Sequence, residues 1–131
     1  MHVSKQRIGS RIAVEKLASE VVNDKEQLGI VVDLSSTGLK LERRFFGRRE
    51  SRIVQLEFEL PEVDEIVWAK GEVCFDRLKP APAGPVRSTG IRLVAAAGRH
   101  LRMLRDWVMA ADEARRAFEE DPLRYATHWC G

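Results

Sequence analysis

Asp33-Leu34-Ser35-Ser36-Thr37-Gly38 brings a carboxylate, hydroxyls and a glycine together between two runs of strand-like alternation. Asp33 can accept hydrogen bonds from backbone N–H groups two or three residues on, and Ser35 can do so more weakly. Gly38 permits positive φ without Cβ strain. The spacing predicts a tight turn braced by its own side chains. About twenty residues earlier, Arg7 and Arg11 form an R-x-x-x-R pair. A guanidinium is a rigid fork of donors suited to phosphates and to guanine edges. The same spacing recurs at Arg44/Arg48 and Arg48/Arg52, so the arginine pair gains meaning only from its position ahead of the turn.

The elements that must position these residues can be read in order. Ile12 to Val22 reads as extended, with a helix as the competing reading because its alternation is imperfect. Asn23 to Glu26 is turn-forming, and Gln27 to Asp33 then returns as the second strand of a hairpin. Leu28, Ile30 and Val32 alternate with Gly29 and Val31, an apolar density that predicts burial on both faces. If Arg11 opens the first strand and Asp33 closes its antiparallel partner, both motifs lie at one end of the sheet. Leu39 and Leu41, alternating with Lys40 and Glu42, begin the next strand.

Glu42 to Arg52 is strongly basic around Phe45 and Phe46, a solvated loop or a stacking surface for nucleic acid. Ile53 to Leu60 alternates cleanly and ends at Pro61. Ile66 to Phe75 sets Val67, Ala69, Gly71, Val73 and Phe75 opposite Trp68, Lys70 and Glu72. The proline-rich stretch from Lys79 to Pro85 lacks ladder donors and must be a loop. Ser88 to Val94 completes about six antiparallel strands, which predicts a mainly β fold, a small closed barrel. From Ala96 the period becomes helical, with Leu101, Leu104, Val108 and Ala111 on one stripe and Trp107 beside it. This helix is expected to cover the barrel and to stop near Asp121-Pro122. The tail, with Tyr125 and Trp129, is expected to dock back or to meet a partner.

Composition narrows the function classes. The chain of 131 residues suits one domain with a helical extension. Its 22 basic and 20 acidic residues balance to +2, so anion binding must come from local clusters and not from bulk charge. No stretch reaches the roughly 20 apolar residues of a membrane span, and the N-terminus lacks a signal-peptide core, so a cytoplasmic location is expected. Cys74 and Cys130 read as free thiols. His2, His100 and His128 are scattered, without a nucleophile–base–acid pattern or metal-ligand spacing. No enzyme, metal or cofactor is expected.

R-x-x-x-R followed by D-x-S-x-x-G resembles the PilZ domain family, bacterial receptors for the second messenger cyclic di-GMP (c-di-GMP). The resemblance spans roughly residues 5 to 110 and includes Trp68 to Val73 and Gly90 to Leu93, which look like the family's last two strands. It implies a six-stranded antiparallel PilZ-type barrel with a C-terminal helix. The arm would be residues 1–11, the barrel about 12–94, the covering helix from about 96 within a domain ending near 110, and 111–131 an extension. It implies c-di-GMP contacts from Arg7, Arg11, Asp33, Ser35 and Gly38, with Gln6 as a peripheral contact where relatives often carry a basic residue. Asp33 would accept from guanine N1–H and N2–H₂, and Ser35 would add a small donor-acceptor. Phe75 is either a core residue or a stacking face. The implied function is a non-catalytic receptor, in motility, polysaccharide production or virulence, that relays ligand binding to a protein partner. A PilZ-fold adaptor that binds no nucleotide is the alternative, and a homodimer is compatible with either. A nucleic-acid-binding barrel would have to rest on Arg43 to Arg52.

Overall fold

A computed structural model of the protein describes residues 11–44 and 51–120. Six strands close into an antiparallel barrel in the order β1-β2-β3-β6-β5-β4. They are β1 (Ile12–Val22), β2 (Lys25–Leu34), β3 (Gly38–Arg44), β4 (Ile53–Glu59), β5 (Ile66–Lys79) and β6 (Val86–Ala96). One long helix, α1 (Gly98–Glu120), follows. The barrel is thus the one expected, with β5 running on to Lys79 and β6 extended at both ends. Closure removes the free edges that an open six-stranded sheet would expose.

The β1–β2 hairpin has a two-residue turn. Asn23 (φ 51°) and Asp24 (φ 63°) both take the left-handed conformation that a primed turn requires, and Asn and Asp tolerate it best among non-glycine residues. Val22 pairs with Lys25 across it. The core is formed by Val31, Leu34, Leu39, Leu41, Val54, Leu56, Phe58, Val67, Val73 and Ile91, sealed at one end by Leu60, Leu104 and Val108. Alternation in β3, β4 and early β5 agrees with the sequence reading.

β2 does not. Only one of its faces is buried: Gly29 and Val31 point inward, whereas Leu28 is exposed. Between Val31 and Asp33 the register slips by one residue. A bulge of this kind reverses the side-chain faces beyond it. Strict alternation would turn Asp33 into the core after Val31. The bulge instead gives that place to Leu34 and leaves Asp33 facing outward.

The helix also differs in rotation from the expected stripe. Its buried residues are His100, Leu104, Val108 and Asp112, spaced four apart, while Leu101 is exposed. Polar groups hold two of these four places because each has a specific partner. The His100 Nδ1 accepts the Trp68 backbone N–H at 3.1 Å, just beyond the end of the β5–β6 ladder. Asp112 takes Arg115 and, at 2.9 Å, Arg116. The Trp107 indole N–H donates to the Pro61 carbonyl at 3.0 Å, fixing α1 against the β4–β5 connection. Phe45, Phe46 and the tail from Asp121 onward, including Tyr125, His128, Trp129 and Cys130, lie outside the described residues.

Candidate functional site

The D-x-S-x-x-G segment joins β2 to β3 as the predicted tight turn, but its brace is Ser35 and not Asp33. Ser35, buried, accepts at its Oγ from the N–H of Gly38 (3.1 Å) and of Thr37 (3.3 Å). Its hydroxyl lies 3.1 Å from the Gly38 carbonyl, to which it donates. The Ser35 N–H donates to the same carbonyl at 2.9 Å. The hydroxyl is therefore committed to the turn and is not the free donor-acceptor expected from the sequence.

Gly38 has no positive φ. Its role is close approach. A Cβ built there would lie 2.4 Å from the Ile91 backbone oxygen, because β3 begins directly against β6. The Leu93 N–H donates to the Thr37 carbonyl at 2.9 Å beside it, tying the turn to β6.

Asp33, released from the turn, meets the first motif. Arg11 Nη1 lies 3.4 Å from Asp33 Oδ2, across the end of the β1–β2 pair where Ala13 faces Asp33. Arg11 remains about half exposed, 54% for its side chain. β1 has its own irregularity between Ala13 and Lys16, next to this pair. Arg7 and Gln6 lie outside the described residues.

A third bulge, in β5 between Val73 and Phe75, re-aims Phe75. Asp76 now faces the interior, where it accepts from Arg87 (2.7 Å) and Thr89 (2.8 Å). Its neighbour Phe75 consequently turns outward, opposite Gly90. The ring lies so close to Gly90 that a Cβ there would come within 2.1 Å of it. The Arg77 guanidinium sits 4.8 Å from the ring centroid, a cation–π distance. Of the two readings of Phe75, the half-buried ring at the surface is the one the backbone produces.

These features surround one cleft of about 200 Å³, lined by Arg11, Ser35, Thr37, Gly38, Cys74, Phe75, Gly90 and Arg92 among others. Asp33 does not line it but pairs with Arg11, which does. Arg92 and Cys74 were not singled out from the sequence; their signal lay in the strand register, which sets Arg92 directly across from Gly38. Arg92 hydrogen-bonds Glu72 on β5, its ladder partner. This bond, and then the Arg92 charge, holds the Glu72 carboxyl below its ordinary value, and the Arg92 guanidinium is raised in return. The cleft thus offers two guanidinium groups, each already paired with a carboxylate, an aromatic ring and a backbone approach free of Cβ. Such a set can hold an anion and a flat, hydrogen-bonding ring together. Among the described residues no cluster of His, Cys, Asp and Glu could hold a metal ion, and Cys74 is a free, exposed thiol. No described helix is long and apolar enough to cross a membrane.

No family model and no curated protein matches the sequence. Solved structures do match by shape. The inhibitor of motility MotI/DgrA of Bacillus subtilis superposes with a TM-score of 0.67 at 14% identity, covering 81% of this chain and 51% of that one. PlzA of Borreliella burgdorferi, solved in complex with c-di-GMP, gives 0.65 at 6% identity, covering 90% and 55%. The PilZ domain of YcgR from Escherichia coli, solved with c-di-GMP, gives 0.62 at 11% identity, covering 86% and 95%. The chain therefore spans about half the length of the first two and nearly all of an isolated PilZ domain. With the closed order β1-β2-β3-β6-β5-β4 and the helix that follows it, the chain has a PilZ-type fold.

Proposed function

We propose that this protein is a non-catalytic receptor that binds c-di-GMP in the cleft between the β2–β3 turn and the β5–β6 bulge. The observation that carries the reading is that Arg11, paired with Asp33 across a separation of 22 residues, lines one cleft with the Ser35–Gly38 turn, Phe75 and Arg92. The ligand carries two phosphates and two guanines. Arg11 and Arg92 are suited to the phosphates or to a guanine O6/N7 edge, and Asp33 to guanine N1–H and N2–H₂. Phe75 offers a face for stacking. Complexes of c-di-GMP with two fold neighbours support the same ligand.

The cleft's 200 Å³ is below the roughly 300–1,000 Å³ typical of small-molecule sites. In this proposal Arg7, with Gln6 at the periphery, supplies the missing wall when the segment ahead of Arg11 closes over the ligand. The Arg11 carbonyl accepts from Arg115 Nη1 at 3.5 Å, so that closure acts on α1 as well. Relay through α1 to a protein partner in the cytoplasm, in motility or biofilm control, belongs to the same proposal.

Isothermal titration of c-di-GMP into the full chain tests it, with GTP as control. At about 1–3 kcal/mol for each arginine contact, Arg7→Ala/Arg11→Ala should weaken binding by about 30-fold or more. Micromolar or tighter binding that the double variant abolishes supports the receptor. No heat, and no binding by a second method, overturns it in favour of a nucleotide-independent adaptor.

A further inference from the structure

The outer face of β1, β4 and β5, which shares no lining residue with the cleft, carries an unpartnered surface of defined chemistry. Ala18, Leu56 and Val67 point into the core, so their neighbours along each strand point out. Register then aligns the outward residues in rows. Ser19 faces Glu57, which faces Trp68, and Ser19 also faces Leu28 on β2. Val21 faces Gln55, which faces Lys70, and Glu59 faces Ile66. Leu17, Leu28, Ile66 and Trp68 are exposed by 58%, 60%, 46% and 58%.

Between these two apolar flanks runs the β4 column with Glu57 and Glu59, neither of which has an ion-pair partner among the described residues. Two hollows adjoin at Glu57. One, of about 140 Å³, is lined by Leu17, Leu28, Glu59 and Ile66. The other, of about 470 Å³, is walled by Trp68 with Val21, Ala95 and Ala96, and Lys70 stands at its polar side with Gln55.

Large exposed apolar side chains flanking free carboxylates are costly to leave in water and mark an interaction face. We infer that this face docks a segment of a partner protein in which lysine or arginine alternates with apolar side chains. The cations lie along Glu57 and Glu59, and the apolar groups fill the hollows against Trp68 and Ile66 on one side and Leu17 and Leu28 on the other. The acidic column repels nucleic acid and anionic lipid, so charge complementarity selects a basic polypeptide. A tryptophan walling the larger hollow is the kind of residue that dominates an interface.

The test uses the ¹⁵N-labelled full chain and two synthetic peptides, one alternating leucine with lysine and one alternating leucine with glutamate. The lysine peptide should shift the amides of Leu17, Ser19, Leu28, Glu57 and Trp68 and the Trp68 indole, and bind more weakly as salt is raised. Trp68→Ala should weaken binding about 30-fold or more. Glu57→Lys, which leaves the apolar flanks intact, should weaken it at least tenfold. The glutamate peptide should not bind. Equal binding of both peptides, shifts centred elsewhere, or insensitivity to both substitutions overturns the proposal. So does a dimer in sedimentation equilibrium that Trp68→Ala dissolves, since the occupant would then be a second copy of this chain.

Discussion

Gly38→Ala separates two explanations for a glycine, conformational freedom and space. The φ of Gly38 is not positive, so alanine meets no backbone strain there. Its Cβ would instead sit 2.4 Å from the Ile91 carbonyl oxygen and 3.4 Å from the Arg92 Cα. The first distance is impossible for real atoms, and the obstacle is backbone, so β3 must withdraw from β6. Overpacking of this kind costs about 1–3 kcal/mol. Withdrawal also strains the Leu93 N–H to Thr37 carbonyl bond, worth about 1 kcal/mol. The sum is about 2–4 kcal/mol. At about 2.1 cal/mol/K per residue the unfolding entropy of 131 residues makes this a fall in Tm of roughly 7–15 °C. Gly84→Ala is the reciprocal control, because φ there is +117° but nothing lies within 4 Å of a Cβ. It should cost only the local strain, about 1–2 kcal/mol, and leave c-di-GMP titration unchanged. Differential scanning calorimetry of both variants, with titration, reads the contrast. A Gly38→Ala chain that melts within about 3 °C of the parent, or that binds c-di-GMP normally, would refute the close-approach argument.

Other expectations follow from the same geometry. Ser35→Ala leaves the Thr37 and Gly38 N–H groups without their acceptor and should cost about 2 kcal/mol by urea denaturation, with weaker c-di-GMP binding; a neutral result would mean the turn does not need the hydroxyl. Leu104→Ala removes a side chain with no exposure, where α1 seals the core, and should cost about 3 kcal/mol while leaving ligand affinity intact; a loss below about 1 kcal/mol would show that the helix does not pack there. Because Arg92 lowers the Glu72 carboxyl from its ordinary 4.5, the pair's contribution is present above that value and is lost as pH falls through the lower folded value. In a carboxyl ¹³C titration Arg92→Ala should move Glu72 back up, and an unmoved Glu72 would contradict the pairing.

Much of this molecule was legible in the sequence. Period-two alternation in Val54 to Leu60 and in Val67 to Val73 determined strands and their inward faces, since a half-buried strand can satisfy water and core only by alternating. The turn-forming run from Asn23 to Glu26 marked the first hairpin, narrowed by the structure to Asn23-Asp24, and with it the placing of Arg11 and Asp33 at one end of the sheet. Pro80 to Pro85 determined the β5–β6 loop by denying it ladder donors. The change to a helical period after Ala96 determined α1, though not its rotation: His100 is buried through the Trp68 backbone on β5, which no local pattern reveals, and Asp112 through Arg115 and Arg116 one turn further along α1 itself.

What only the tertiary structure decided is where the site's side chains point. Bulges in β1, β2 and β5 each add a residue against the partner strand. A bulge is a property of a strand pair, invisible in either strand alone, and it inverts every face beyond it. By that inversion Asp33 leaves the core for Arg11, Phe75 turns out over Gly90, and Ser35 is left to brace the turn. Residue types and spacing named Arg11, Ser35, Gly38 and Phe75; strand register, closed around the barrel, added Arg92 and chose the atoms each one presents.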